Sequence, residues 1–263
     1  MVDFIKKISL QTLSALHKWL RKNYLTGVKF PDPLIRGVLI KRYKRFLADI
    51  TLENSDIVTA HCANSGSMMG LIEPGAEAWL SLAHNPKRKL KFTWELVRNG
   101  DGLVGINTSL ANAIVSEAIE CGAIAGLAGY DSLRREVRYG QNSRIDILLE
   151  SDGRPPCYVE IKSVTLKRDD VKGGLAEFPD SVTARGTKHL NELSAMVAGG
   201  ARAVMLYLVQ REDCDRFAIA TDIDPAYGAA LIAARAAGVE TFCHACRVNT
   251  DAIELDRALP LDL

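Results

Sequence analysis

From about residue 34 the chain alternates apolar and polar positions in short runs, at 37–40, 46–52, 57–61, 78–82 and 90–97. The turn formers Asn54-Ser55, Ser65-Gly66, Pro74-Gly75, Asn85-Pro86 and Asn99-Gly100 separate the runs and predict short strands. A small five-stranded barrel of the OB type fits that pattern. After Gly102 the period lengthens. A helix is expected over 108–121, with Asn107, Thr108 or Ser109 able to cap it, and strands follow at 134–139, 144–150 and 157–166. A helix over 184–198, a strongly apolar strand at 203–209, a helix near 225–237 and a strand near 239–248 complete the reading. The order α-β-β-β-α-β, with a further helix and strand, predicts an α/β sandwich around a mixed sheet. Residues 4–20 approximate a basic amphipathic helix, read as a packing or membrane-surface extension. The expected division is an N-terminal extension at 1–27, an OB-like nucleic-acid-binding domain at 28–104 and an α/β domain at 105–263.

Charge sharpens that division. Residues 1–104 carry 16 Lys and Arg against 9 Asp and Glu, whereas residues 105–263 carry 17 against 23. A basic module therefore precedes an acidic one, and clustered cations gain affinity for phosphates by releasing counterions. Lys41-Arg42-Tyr43-Lys44-Arg45 interleaves an aromatic ring with four cations, a composition suited to backbone contact and base stacking. Strand alternation would point Lys41, Tyr43 and Arg45 to one face. Lys87, Arg88 and Lys89 form a second cluster at a turn.

Several classes are disfavoured. The six cysteines are irregularly spaced and do not resemble a disulfide framework, which suggests a reducing cytoplasm. Cys243-His244-Ala245-Cys246 has no second ligand pair for structural zinc, so a buried cysteine strand is expected. No apolar run reaches the roughly 18–20 residues of a membrane span, and no export signal is evident. There is neither a phosphate-cradling glycine loop nor a GxSxG elbow.

The candidate chemistry lies on two neighbouring strands. In 144–150 alternation sets Asp146 opposite Ile145, Ile147 and Leu149. In Val159-Glu160-Ile161-Lys162, Glu160 and Lys162 share a face. A hairpin turn at 151–156 would bring Asp146 within about one residue of the position opposite Glu160. Two crowded acids repel unless a cation lies between them, and hard oxygen ligands select Mg²⁺ or Mn²⁺. Such an ion polarises a phosphoryl oxygen while Lys162 orients water or steadies developing charge, which is phosphodiester hydrolysis chemistry.

Asp146, the Glu160-Ile161-Lys162 triplet and the preceding helix resemble the PD-(D/E)XK nuclease superfamily. More narrowly, the chain resembles the sugar fermentation stimulation protein A (SfsA) family. The matching strings are Leu34-Ile35-Arg36-Gly37, Lys41 to Phe46, Thr59-Ala60-His61-Cys62, Gly66-Ser67-Met68, Asn85 to Lys89, and Phe178-Pro179-Asp180-Ser181-Val182-Thr183-Ala184-Arg185-Gly186. The chain departs from the family pattern at Ala63, where proline is usual, and at Ser65, where threonine is usual.

The resemblance implies an α/β two-domain protein in which a small OB-like barrel precedes a PD-(D/E)XK nuclease-like domain with a mixed central sheet. It implies DNA binding, with RNA also open, no membrane partner, and an oligomeric state left open, homodimer included. On a helical wheel Glu117 falls beside Leu110, Ile114 and Cys121, at the helix edge that meets the sheet, with Glu120 on the more polar side as its competitor. By the likeness a helix acid, Glu117 first, completes the metal shell of Asp146 and Glu160, and Gln210 joins the catalytic set. Arg36, Arg185 and Lys188 then add to the nucleic-acid contacts, and His189 beside Lys188 could reach a phosphate. The open alternative is a DNA-binding regulator of sugar-utilisation genes that cleaves little or nothing.

Overall fold

The computed structural model describes residues 27–140, 143–168 and 173–263. The amphipathic stretch at 4–20 lies outside the described residues. Strand β1 (Val28–Lys29) is followed by the barrel strands β2 (Ile35–Tyr43), β3 (Leu47–Leu52), β4 (Ile57–Cys62), β5 (Glu77–Leu82), β6 (Phe92–Asn99) and β7 (Gly102–Gly105). The order β4-β3-β2-β5-β6, closed by parallel pairing of β4 with β6, makes a five-stranded barrel, and β7 extends it beyond β6. Its core comprises Leu39, Ile50, Leu80 and Trp94, as inward positions of alternating strands must.

The second module begins with a single 3₁₀ turn over Thr108–Leu110, and Asn107 caps it by accepting the Ser109 N–H. Helix α1 (Ala111–Glu120) follows, then β8 (Ser132–Tyr139), β9 (Ser143–Glu150), β10 (Cys157–Val164), β11 (Leu175–Phe178), α2 (Ala184–Ala198), β12 (Arg202–Val209), β13 (Arg216–Ile219), α3 (Pro225–Ala236), β14 (Glu240–Val248), β15 (Ala252–Ala258) and β16 (Leu261–Asp262). The large sheet runs β1-β15-β14-β12-β10-β9-β8 and is mixed, since β10, β12 and β14 pair in parallel while the outer pairs are antiparallel. Strands β11, β13 and β16 form a small parallel sheet, which the sequence pattern did not predict.

Helix α1 covers one face through Ile114, Val115 and Ala118 against Ile147, Val159 and Leu206. On the other face, Leu190 and Leu193 of α2 and Tyr227 and Leu231 of α3 pack against Met205 and Tyr207. Strand β12 is buried on both sides, which explains its unbroken apolar run. Asp224 ties the two helix starts together: it caps α3 by accepting the Tyr227 N–H (3.0 Å) and accepts the Thr183 N–H (2.7 Å) at the N-cap of α2. At Gly186 an added Cβ would lie 2.9 Å from Tyr227, so glycine lets α2 approach α3 closely.

Two differences from the sequence reading bear on the modules. Val28 and Lys29 pair with Ile253 and Ala252, so they belong to the C-terminal sheet and the barrel strands start at Ile35. The modules also share a core, because Trp79 and Leu96 of the barrel join the cluster beneath α1. Gly105 N–H donates to the Gln210 carbonyl (2.8 Å), and the buried Arg211 reaches Asn99 Oδ1 (2.8 Å) across the same junction.

Candidate active site

Strands β9 and β10 pair at Leu149–Cys157, Leu148–Tyr158 and Ile147–Val159, and there the ladder stops. One step further the register would set Asp146 opposite Glu160. Instead the strands separate, and Asp146 Oδ2 accepts the Ile161 N–H (2.7 Å) while its Oδ1 accepts from Asn112 Nδ2 of α1 (2.9 Å). The alternation expected along β9 slips at this point: Ile147 and Leu149 pack under α1, but Ile145 packs on the opposite side with Leu148. On the other flank the β8–β9 ladder omits the Glu136–Asp146 pair, and Glu136 takes a φ of 55°. An irregularity of this kind re-aims a side chain at the edge of a ladder.

Asp146, Glu160 and Lys162 all line one cavity of about 590 Å³ between the modules. Glu160 is only 2% exposed. Lys162 Nζ donates to Glu160 Oε1 (2.7 Å), and His189 Nδ1 of α2 bonds the same oxygen, while Glu160 Oε2 is buried without a partner. Arg185 Nε donates to His189 Nε2 (3.3 Å), so one chain of contacts runs from Arg185 through His189 to Glu160.

The two acids titrate in opposite senses. Burial, joined by the neighbouring Glu160 charge, pushes Asp146 up to about 6. Burial also works to raise Glu160, but the His189 hydrogen bond and the Lys162 charge outweigh it and hold Glu160 below its ordinary value. The donor set fits a hard divalent cation: two carboxylates face one polar cavity, one of them with a desolvated, unpartnered oxygen. Among the described residues no group of three His, Cys, Asp or Glu side chains could hold a metal. A cation here would complete its shell with water or phosphate oxygens, as Mg²⁺ commonly does.

The expected third acid lies elsewhere. Glu117 Oε2 accepts the Gly27 N–H (2.9 Å) and does not line the cavity, because that face of α1 turns toward Gly27 and β15. Gln210 also lies outside it: the residue is fully buried, its Nε2 donates to Ser163 Oγ (2.6 Å), and its side chain packs on Gly105 at the module junction. It meets the cavity lining through Ser163 and, by its backbone N–H, through the Val164 carbonyl (3.0 Å).

Among the expected nucleic-acid contacts, Arg45 and Arg185 line the cavity and the others do not. Strand β2 ends at Tyr43, and Lys44 and Arg45 turn in the left-handed region with φ of 47° and 64°, which breaks the alternation expected through Arg45. Arg42 is engaged internally, donating to the carbonyls of Arg45 (3.0 Å), Asn64 (2.9 Å), Gly66 (2.9 Å) and Ser67 (3.2 Å). Arg36 is paired with Glu77 and Glu53, Lys41 sits over the Tyr43 ring near Asp49, and the Tyr43 hydroxyl donates to Asp49. Arg88 donates to Thr93 Oγ1, Lys87 and Lys89 are exposed at their turn, and Lys188 lies 3.6 Å from Glu192.

Sequence reasoning did not single out Asn112, Arg135 or Asp180, which also line the cavity. Asn112 sits at the start of α1, where a polar residue reads as ordinary helix-start chemistry. Asp180 falls within one of the family strings, which flagged the segment but no role. Cys243 and Cys246 are free and buried, as are the other four cysteines.

A closed β-barrel joined to an α/β module, with two acids and a lysine in the cleft between them, defines a two-domain protein with a polar interdomain pocket lined by charges of both signs. Residues 40–106 match the family model for the SfsA N-terminal OB domain, and residues 109–252 match that for the sugar fermentation stimulation protein RE domain. The chain belongs to the SfsA family. It is 58% identical over 236 residues to the sugar fermentation stimulation protein homolog of Paramagnetospirillum magneticum, covering 90% of this chain and 98% of the relative. The Rhodospirillum rubrum homolog is 57% identical over 240 residues, covering 88% and 98%. The SfsA of Pyrococcus furiosus, solved in complex with Ca²⁺, has the same fold, with a TM-score of 0.82 at 23% identity over 90% of this chain and 99% of that one. No helix among the described residues is long and apolar enough to cross a membrane.

Proposed function

We propose that this protein is a nucleic-acid-binding phosphodiesterase of the PD-(D/E)XK nuclease type, dependent on Mg²⁺ or Mn²⁺. The carrying observation is Glu160: a carboxylate 2% exposed, with one oxygen unpartnered, in the same cavity as a second acid. Leaving a buried charged oxygen unsatisfied is costly, and a divalent cation removes that cost. Asp146 and Glu160 would hold the ion, which when bound supplies positive charge beside a phosphoryl oxygen and acidifies water. The Ca²⁺ of the Pyrococcus furiosus relative supports a hard, oxygen-seeking ion.

The chain's own residues do the remaining work. Asn112 and the Ile161 N–H fix both oxygens of Asp146. His189 and Lys162 fix Glu160, and Lys162, 14% exposed at its side chain, is placed to hold a water or steady charge on the phosphate. Arg45 of the barrel and Arg185 of α2 line the cavity and bind phosphate there. The OB domain supports binding to DNA, or to RNA by the same backbone contacts. The free, buried thiols suit a reducing cytoplasm.

The competing reading is a DNA-binding regulator of sugar-utilisation genes without turnover, favoured by the internal pairing of Glu160 with Lys162 and His189, which holds the site together on its own. One assay separates them. Purified protein is incubated with single- and double-stranded DNA and RNA in Mg²⁺, Mn²⁺ or EDTA, beside Lys162→Ala. Metal-dependent cleavage that disappears in the variant supports the phosphodiesterase. Salt-sensitive binding with no cleavage in any metal supports the regulator.

A further inference from the structure

The cavity has two walls. The barrel supplies Arg45, Asn64, Ser65 and Gly66, and the C-terminal module supplies residues 177–186 together with the acids. These walls are pinned to each other: Ser67 Oγ donates to the Asp180 carbonyl (2.6 Å), and Met68 N–H donates to Asp180 Oδ2 (2.9 Å). The fit leaves no room for a side chain at Gly66, where a Cβ would lie 2.3 Å from Asp180 Oδ2. Arg42 braces the same loop and the Arg45 turn with its four carbonyl contacts, so the position of Arg45 depends on the docked interface.

Two exposed apolar side chains belong to the segments that build this cleft, Val182 in its lining and Phe46 next in sequence to Arg45. Val182 lines the cavity and is 75% exposed. Phe46, 44% exposed, follows Arg45 directly and is anchored through its backbone, its N–H donating to Lys44 and its carbonyl accepting from Cys62. Fold stability does not require either exposure, and each adjoins an arginine-bearing segment, Arg45 on the barrel and Arg185 at the start of α2. Arg135 lines the cavity as a third arginine.

We infer that the cleft takes a single strand of nucleic acid, with Arg45, Arg135 and Arg185 on successive phosphates and Phe46 and Val182 against the faces of unpaired bases. This rests on the nucleic-acid reading proposed above. A duplex hides its base faces in the stack and presents only phosphates and groove edges, so exposed apolar groups at the rim gain nothing from it. An unpaired base has a free π-face, and aromatic platforms beside backbone-tracking cations are how proteins grip single strands. Glu160 is buried in a cleft whose walls are fastened together through Asp180, and a single strand is the slimmer of the two ligands to reach it.

The test is fluorescence anisotropy with a short labelled oligothymidylate and with a blunt duplex of the same length, in Ca²⁺ and in EDTA, so that no turnover is needed. The single strand binds at least about tenfold tighter than the duplex. Phe46→Ala weakens the single strand about tenfold, Phe46→Trp restores it, and Val182→Asp weakens it by a similar factor. Arg45→Gln lowers the dependence of log affinity on log salt by about 0.7, one phosphate contact on a single strand. Ile232→Ala, an apolar site on α3 about as exposed as Val182, changes nothing. Equal affinity for duplex, no binding to either probe, or Phe46→Ala and Val182→Asp matching Ile232→Ala overturns the proposal. Strand preference without cleavage in any metal leaves it standing and removes the phosphodiesterase reading, whereas cleavage of duplex in preference to single strand does the reverse.

Discussion

Glu160 and Glu177 are both buried, both face the same cavity and both hold cations, yet they are built for different ends. Arg168 takes both oxygens of Glu177 in a fork and reaches Asp222 (2.6 Å) beyond it. At Glu160 a lysine and a histidine crowd onto a single oxygen and the other has none. A bidentate, fully satisfied pair serves the fold. A half-satisfied one in a polar cleft is incomplete as a structural device, and that incompleteness marks the site.

Glu160→Gln is the sharpest way to break the comparison. It is expected to lower metal-dependent cleavage about a thousandfold and to abolish the rise in melting temperature on adding Mg²⁺ or Ca²⁺. Glu177→Gln is expected to act the other way. It leaves the Arg168 fork half-paired and destabilises by about 3 kcal/mol in urea unfolding, the low end for a broken buried pair because Arg168 is a quarter exposed. Its folded fraction still cleaves. Equal losses of cleavage in both variants would erase the distinction between the two acids.

The pH response of the metal-free protein sharpens the same contrast. Asp146 rises from its ordinary 3.8 to about 6 on folding, chiefly through burial and then through the Glu160 charge. The folded state therefore binds this proton more tightly than the unfolded chain does. Its stabilising contribution is fully present below about pH 4 and is lost as pH rises through about 6, at roughly 1.4 kcal/mol for each pH unit crossed between those two values. A divalent cation replaces the proton, so Ca²⁺ should raise the melting temperature strongly at pH 8 and weakly at pH 5. A stabilisation by Ca²⁺ of the same size at both pH values would place the ion away from Asp146.

What the sequence made legible follows the same line between regular and irregular structure. The strand and helix runs around Asp146, Glu160 and Lys162 obey alternation and the helical period, so their neighbourhood could be read from spacing. Helix α2 was expected over its observed residues, and Gly199 caps its C-terminal end. The slip at Asp146 was not legible, because it depends on Glu136 across the ladder taking a positive φ. Glu117 was misplaced because its position on a helix gives an angle but not the neighbour at that angle: Gly27, 90 residues away, donates its N–H there. Gln210 was misplaced because the end of a strand does not reveal which module packs on it. The short parallel sheet of β11, β13 and β16 escaped for a similar reason, being four-residue and two-residue strands whose partners lie far apart in the chain.

The smallest expected effects test the same principle on two arginines of one strand. In composition Arg36 and Arg42 look alike, two cations of a basic module. Arg42 donates to four backbone carbonyls that hold the Arg45 turn and the Asn64–Ser67 loop, so Arg42→Ala should cost about 2 kcal/mol and weaken oligonucleotide binding through a displaced Arg45. Arg36 is half exposed and spends its charge on Glu77 and Glu53, while Glu77 keeps a second partner in Arg98. A solvent-exposed pair of this kind contributes little and is screened by salt. Arg36→Ala should therefore leave the melting temperature within error, change oligonucleotide affinity by less than about twofold, and leave the salt dependence unaltered. A salt slope reduced by one phosphate contact in Arg36→Ala would mean that nucleic acid displaces Glu77 from Arg36, and that the barrel's outer face, not the cleft alone, carries the strand.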